Sequence, residues 1–366
     1  MTSLSSQHLS TPIGPVALLG ACDTRIWGMS TAERYRRMIK EAAGRGDRLA
    51  DGHVLAISLE HVFDPLLLRE ALKTPGTAFT LDGELLVGQV RAGDEDRIVD
   101  AIELSDGRLI YNPQLRKLET PFAQRLTRQS RPAIERRSYF GAYKGVTDLL
   151  TKYLWPELAF VLTRGAARIG MTPNMVTAIG ALCCVAATLL FAQGLYWTGF
   201  LAGFIFMVLD TVDGKLARCT ITSSKWGDFF DHGIDLVHPP FWWYAWGIGL
   251  SAWGLALDAD SFWLVMAVIL GGYVLQRVIE GIFMRAFGMH IHVWRRFDTW
   301  FRLITARRNP NMVILFVALL FGRPDTGLIA VAWWTAISLL VHGVQLVQAY
   351  IARAQGEPIR SWLETA

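Results

Sequence analysis

Apolar residues are distributed unevenly along the chain. Over the first 140 positions they come in short runs among charged residues, and beyond them long apolar blocks are separated by brief polar joints. Six blocks, near 174–192, 195–217, 229–253, 261–285, 311–322 and 327–352, have the apolar character of bilayer-spanning helices. A hydrocarbon core demands about 20 such residues, and the fifth block is short of that. The earlier part predicts a strand at Pro15–Leu19, a helix at Thr31–Gly44, a strand at His53–Leu59 and a helix at Pro65–Lys73. A hairpin follows over Phe79–Arg91 through Asp82-Gly83, then a helix at Asp94–Leu104 and a strand at Arg108–Tyr111. That alternation argues a compact α/β domain.

The expected map is a cytosolic α/β domain over 1–115, a linker rich in Arg, Gln and Pro over 116–144, and an interfacial amphipathic helix over 145–170. A six-helix membrane domain over 171–355 and a cytosolic tail over 356–366 complete it. The interfacial reading rests on Leu149, Tyr153, Leu154, Trp155, Leu158 and Phe160, with Lys152, Arg164 and Arg168 alongside. Trp and Tyr clusters such as Tyr196-Trp197, Trp242–Trp246 and Trp333-Trp334 suit interfacial belts or a packed aromatic core equally.

The joints near 192–194 and 256–261 carry no Lys or Arg, and 322–326 holds only Arg323. The opposite joints carry Lys215, Arg218, Lys225, Arg285, Arg295, Arg296, Arg302, Arg307 and Arg308, with Arg353 and Arg360 at the tail. Positive residues stay inside, so the basic side is read as cytoplasmic in an inner membrane, and an even span count puts both termini there. A net charge of +4 gives no global field for nucleic acid. The four cysteines, Cys22, Cys183, Cys184 and Cys219, have no metal-type spacing. Met1–Gly20 lacks the basic start of a secretory signal.

The candidate chemistry lies where the second apolar block ends and the third begins: Asp210-x2-Asp213-Gly214-x2-Ala217-Arg218-x8-Gly227-x3-Asp231-x3-Asp235. Asp210 and Asp213 are three apart and share a helix face, and Asp231 and Asp235 are four apart and share another. Ionised groups beside hydrocarbon are costly and mark a function by default. Hard oxygens facing each other across small residues describe a site for divalent cations and a phosphate-bearing ligand. Only Lys215 and Arg218 are close in sequence, too few to neutralise four carboxylates.

At every fixed position this stretch resembles the signature of the CDP-alcohol phosphotransferase family, and Thr172-Pro173-Asn174 at the entry to the first block extends the likeness. The resemblance implies six transmembrane helices, a homodimer, and a polar cavity open to the cytosol. It implies transfer of a substituted phosphoryl group from a CDP-alcohol to a lipid or polyol-phosphate alcohol, releasing CMP, in phospholipid or inositol-phosphate synthesis. By position, Asp210, Asp213, Asp231 and Asp235 would hold two Mg2+ or Mn2+ ions, and Asp235 would be the general base. Asp210, Asp213, Gly214, Ala217, Arg218, Gly227 and Asn174 would meet the nucleotide. The first domain loosely resembles the nucleotidyltransferase domains that precede the membrane part in some relatives. It departs from them in a thinned glycine loop (Gly20–Arg25), in Glu60 where an Asp is expected, and in Arg34 where a Lys is expected. A domain that keeps the fold and has altered its chemistry is the expectation.

Arg307 and Arg308 are candidates for an acceptor phosphate, since Arg matches phosphate geometry bidentately. Arg277 and Glu280, three apart, form either a lock or part of the cavity wall, and His238 reads as a packing residue one turn past Asp235. The competing class is an ion-coupled transporter using the carboxylates as a cation site, which predicts internal repeats that this chain does not display.

Overall fold

The computed structural model describes residues 6–94, 100–104, 107, 109–223 and 225–364, without the side chains of Ser6, Lys225, Trp226, Asp228, Phe229, Asp231 and His232. It divides into two compact units. One comprises Met1–Tyr143, Leu162–Thr172 and Lys215–Ser223, and the other Lys144–Val161, Pro173–Gly214 and Ser224–Ala366.

The first unit opens with β1 (Ser6–Thr11), β2 (Gly14–Leu19), α1 (Thr31–Arg45), β3 (His53–Ser58), β4 (His61–Phe63) and α2 (Pro65–Lys73). It continues with β5 (Thr77–Leu81), β6 (Glu84–Arg91), β7 (Asp100–Glu103), β8 (Ile110–Asn112), β9 (Lys117–Glu119), β10 (Ala123–Arg125) and α3 (Arg131–Gly141). A six-stranded mixed sheet runs β1-β2-β3-β6-β5-β7, with β2 and β3 parallel across α1. The helix ends follow local chemistry. The Ser30 side chain accepts from the Glu33 amide at the start of α1, left-handed Gly46 ends it, and Asp64 caps α2 through the Leu66 amide at 2.9 Å. Asp82 and Gly83 both have positive φ, as a two-residue hairpin turn requires. Val16, Leu18, Tyr35, Ile57, Phe63 and Leu67 are buried in the core between sheet and helices.

Three expectations change here. In place of the helix at Asp94–Leu104, β7 pairs in parallel with β5, and residues 95–99 lie outside the described set. The strand expected at Arg108–Tyr111 begins at Ile110, and Arg108 is outside the described residues. The stretch read as a linker contains β9, β10 and α3, because Phe122, Leu126, Ile134 and Tyr139, dispersed among Arg and Gln, are all buried. Burial outweighs the polar average there.

The helical elements are α4 (Pro156–Arg168), α5 (Pro173–Ala192), α6 (Tyr196–Thr220), α7 (Lys225–Gly249), α8 (Ala259–Met266), α9 (Gly272–Phe287), α10 (Arg296–Arg302), α11 (Arg308–Leu320) and α12 (Pro324–Ala354). The expected interfacial helix is interrupted: a π-helical turn at Leu150–Leu154 precedes α4, which begins at Pro156. Tyr153, Leu154 and Leu158 are exposed.

Six transmembrane helices are not what this region displays. Among the described residues, three helices are long and apolar enough to cross a membrane: Pro173–Ala192, Ala259–Phe287 and Pro324–Ala354. The shortfall has physical causes. α6 carries two carboxylates and two cations in its second half, and α7 contains Pro239-Pro240 and its own acidic start. α11 has 13 residues, about 20 Å at 1.5 Å per residue, against about 30 Å of hydrocarbon. The even-count argument for both termini on one side therefore has no footing.

The second unit packs around aromatic residues. Trp242, Trp243 and Trp246 are buried, which makes them core rather than belt, whereas Trp197 and Trp333 are exposed. Three buried polar edges are satisfied by carbonyls: Trp242 Nε1 donates to Cys184 O at 3.2 Å, Trp246 Nε1 to Pro324 O at 3.0 Å, and Tyr196 Oη to Trp246 O at 2.7 Å. At Gly249 a Cβ would fall 1.9 Å from the Phe191 carbonyl oxygen, so the ends of α5 and α7 approach only because that residue has no side chain. Gly249→Ala should lower the thermal unfolding midpoint in detergent by the equivalent of about 1–3 kcal/mol, the usual range for overpacking. Gly281→Ala, where an added Cβ meets nothing within 4 Å, should leave the midpoint unchanged or slightly raised.

Candidate functional site

α6 ends its apolar run with Asp210 and Asp213, α7 supplies Asp235, and α11 begins at Arg308. A cleft is lined by Thr177, Gly180, Phe206, Asp210, Asp213 and Ile234. A Cβ at Gly180 would meet Phe206 at 3.4 Å, an ordinary van der Waals contact.

The three described carboxylates are held differently. Asp213, almost fully buried, accepts from Thr177 Oγ1 at 2.6 Å through Oδ2 and from the Gly214 amide at 2.5 Å through Oδ1. Asp210 Oδ2 accepts from Arg308 Nη2 at 2.7 Å, and Asp235 Oδ1 accepts from Arg308 Nη1, also at 2.7 Å. One guanidinium thus bridges two carboxylates, with its flat face 4.9 Å from the centre of the Phe206 ring. The side chains of Asp210 and Arg308 are 18% and 12% exposed, against 44% for Asp235, which is the carboxylate open to approach.

Arg308 is itself positioned. Its Nε donates to Asn309 Oδ1 at 3.0 Å, and Asn309 Nδ2 donates to Asp148 Oδ1 at 3.0 Å and to Thr151 Oγ1 at 3.2 Å. Burial alone raises the Asp148 carboxyl, but the Arg302 charge and hydrogen bonds from Asn309 and Thr151 outweigh it and hold the group below its usual range. A stretch ahead of α4 therefore anchors the start of α11.

The sequence candidates divide. Asp210, Asp213, Gly214 and Asp235 come together, and Arg308 joins them as their counter-ion. Arg307 turns elsewhere, to Glu280 at 2.5 Å, which Arg277 also contacts at 2.9 Å. Asn174 is exposed in the first turn of α5. Gly227 lies in the first turn of α7, and the Asp231 side chain lies outside the described residues. Ala217 and Arg218 belong to Lys215–Ser223 of the first unit. His238 donates through Nδ1 to Ile234 O at 2.6 Å and packs edge-on against Phe206 and Trp242, as its packing reading predicts. Thr177, Asn309 and Asp148 were not signalled by the sequence; only the Asn309-Pro310 pair at the start of α11 hinted at special local geometry.

Hard oxygens around a point where a guanidinium now supplies the positive charge suit a divalent cation. Each carboxylate oxygen has lone pairs beyond the bonds just described.

In the first unit, Gly20 has a φ of 78° and faces Glu60, whose Oε1 would lie 3.1 Å from an added Cβ. Glu60 is paired with Arg125. Arg34, the expected counterpart of a phosphate-binding lysine, is fully buried and donates to Cys219 O at 3.2 Å instead. His61 contacts Ser58 Oγ at 3.1 Å and Glu84 at 3.3 Å; burial lowers its imidazole and the Glu84 charge pulls the other way.

Residues 170–307 match the family model described as CDP-alcohol phosphatidyltransferase. Over 210 residues the chain is 27% identical to choline/ethanolaminephosphotransferase 1 of Arabidopsis thaliana, covering 52% of this chain and 46% of that protein. Over 106 residues it is 34% identical to a phosphatidylinositol phosphate synthase of Mycobacterium marinum, covering 27% and 45%. A crystal structure of the Mycobacterium tuberculosis phosphatidylinositol phosphate synthase with CDP-DAG bound aligns with a TM-score of 0.41 and 19% identity, over 52% of this chain and 92% of that one. The chain spans about half the length of the two curated relatives.

The bridging guanidinium generates a prediction. Arg308→Gln should destabilise the protein in EDTA by up to about 3 kcal/mol, less than a fully buried pair because Asp235 is part-exposed. Millimolar Mn2+ should restore more of the lost unfolding temperature in the variant than it adds to the wild type.

Proposed function

We propose that this chain, whose residues 170–307 belong to the CDP-alcohol phosphatidyltransferase family, transfers a substituted phosphoryl group from a CDP-alcohol to an acceptor alcohol and releases CMP. The observation that carries the reading is the gathering of three carboxylates of the matched segment at one place: Asp210 and Asp235 share the Arg308 guanidinium, and Asp213 lines a cleft with Asp210. The relatives' names divide between choline/ethanolamine phosphotransferase and phosphatidylinositol phosphate synthase, so the reading covers phospholipid synthesis and leaves the alcohols to a substrate panel.

In this reading Asp210, Asp213, Asp231 and Asp235 hold two divalent ions, Mg2+ or Mn2+. When bound, they would neutralise charge on the pyrophosphate oxygens as phosphorus changes partners. Thr177 and the Gly214 amide fix Asp213 in one orientation, so the donor set is built before substrate arrives. The acceptor oxygen bonds to the β-phosphorus, and the P–O bond to CMP breaks with its electron pair on the leaving phosphate. The acceptor proton goes to Asp235. Its Oδ1 is engaged by Arg308 while Oδ2 faces no described donor, and its exposure supports access. Were cations bound at the acids, Arg308 would be free to pair with phosphate, and Arg307 is the second candidate for an acceptor phosphate. Gly214, Ala217, Gly227 and Asn174 allow close approach of the nucleotide, and Arg218 pairs with its phosphate.

The same reading puts the carboxylate side at the cytoplasmic face, by the positive-inside bias. It takes residues 1–115 as an α/β domain with altered nucleotidyltransferase chemistry, and the active form as a homodimer.

The test is CMP release from a panel of CDP-alcohols by the protein in liposomes, with Mg2+ or Mn2+. Asp235→Asn should lower the rate by about 10²–10⁴-fold, the span of a lost general base, while nucleotide binding persists. Asp213→Asn should abolish both metal dependence and turnover. Cation flux without CMP release would favour the transporter instead.

A further inference from the structure

A second cluster of ligating groups lies apart from the carboxylate cleft. Glu280 of α9, His292 in the 3-10 turn Ile291–Val293, and His342 of α12 present ligand atoms all within 4.8 Å of one another. His292 is 2% exposed and His342 is 0% exposed. Their rings lie with centroids 5.3 Å apart. Neither nitrogen of His342 has a hydrogen-bond partner, and Nδ1 of His292 has none. Nε2 of His292 lies 3.3 Å from Arg307 Nη2. Buried polar atoms are almost always satisfied by protein, water or an ion, so two buried imidazoles with unpartnered nitrogens beside one carboxylate call for an occupant.

The carboxylate is arranged to match. Arg277, Arg307 and His292 all contact Glu280 through Oε1, at 2.9, 2.5 and 3.4 Å, which leaves Oε2 without a described partner. A ligating carboxylate whose other oxygen is hydrogen-bonded is the usual support for a metal ligand. Two guanidiniums on one oxygen weaken that carboxylate as an electrostatic donor. The set therefore suits a metal that bonds well to imidazole, and disfavours Mg2+ or Ca2+, which need several hard oxygens.

We propose that Glu280 Oε2, His292 and His342 form a binding site for one divalent transition ion of the zinc class, distinct from the Asp210–Asp235 centre. The site joins α9, the 291–293 turn and α12, so the ion clamps two of the three candidate membrane spans. Two imidazoles and a carboxylate are a known donor set for zinc, with a fourth position filled by water.

The test uses the whole purified protein in detergent, stripped with chelator and titrated with Co2+. Two-imidazole coordination of low number gives intense visible absorption, whereas an oxygen octahedron at the aspartates gives only weak bands. The wild type and Asp213→Asn should both show the intense spectrum at one equivalent. His342→Gln and Glu280→Gln should lose it, with one equivalent less bound metal by elemental analysis. Zn2+ should raise the unfolding temperature of the wild type and not of His342→Gln. Should a variant fail to fold, paramagnetically shifted imidazole resonances in the Co2+-loaded wild type decide the matter. Two shifted imidazole sets support the site, and their absence overturns it. An intense spectrum that persists in folded His342→Gln, or vanishes in folded Asp213→Asn, also overturns it.

Discussion

Carboxylates at the end of apolar helices must be compensated, and the bridge from Arg308 to Asp210 and Asp235 is how this chain compensates them. Without it, Asp210 would sit largely desolvated beside Asp213, two like charges one helical turn apart. The guanidinium settles this with two bonds of equal length, and the planarity that lets it span both acids also lets it lie on Phe206. Everything that fixes Arg308 then fixes the site. Asn309 holds its Nε, and Asp148 and Thr151 hold Asn309, so the entry to α11 and the stretch before α4 are parts of the same apparatus as the acids.

The arrangement also explains why two adjacent arginines act differently. At the start of α11, Arg307 and Arg308 diverge, one toward Glu280 and the other toward the aspartates. Arg307 shares its carboxylate with Arg277, whereas Arg308 has its two aspartates to itself among the described ion pairs. A sequence reading that treats them as one basic run assigns both to topology or both to phosphate. Geometry separates them, because Arg307 is the extended residue that precedes the helix and Arg308 is its first helical residue.

Local chemistry was the legible part. The capped helices α1 and α2, the Asp82-Gly83 hairpin and the spacing of Asp210 with Asp213 all follow from short-range rules, and all appear where those rules put them. What depended on distant partners was not legible. Arg308 is 98 residues from Asp210, so counting the cations near in sequence overstates the charge deficit by the one guanidinium that the fold brings in. Dispersed apolar residues such as Ile134 and Tyr139 disappear within a polar average, so the sequence pattern of α3 resembles that of a linker. The six-span expectation failed for a related reason: counting apolar blocks takes no account of carboxylates, prolines and short length, which leave α6, α7 and α11 below the threshold for an independent span.

The central claim is that the acids gather divalent cations around a pyrophosphate, in the place where Arg308 now supplies the charge. Its most direct measurement is a crystal structure with Mn2+ and a cytidine diphosphate alcohol, read by anomalous scattering. Manganese peaks within bonding distance of Asp210, Asp213 and Asp235, with Arg308 withdrawn from the two acids, are the expected result. An Arg308 bridge left intact, with the nucleotide and the manganese lodged elsewhere, would contradict the account.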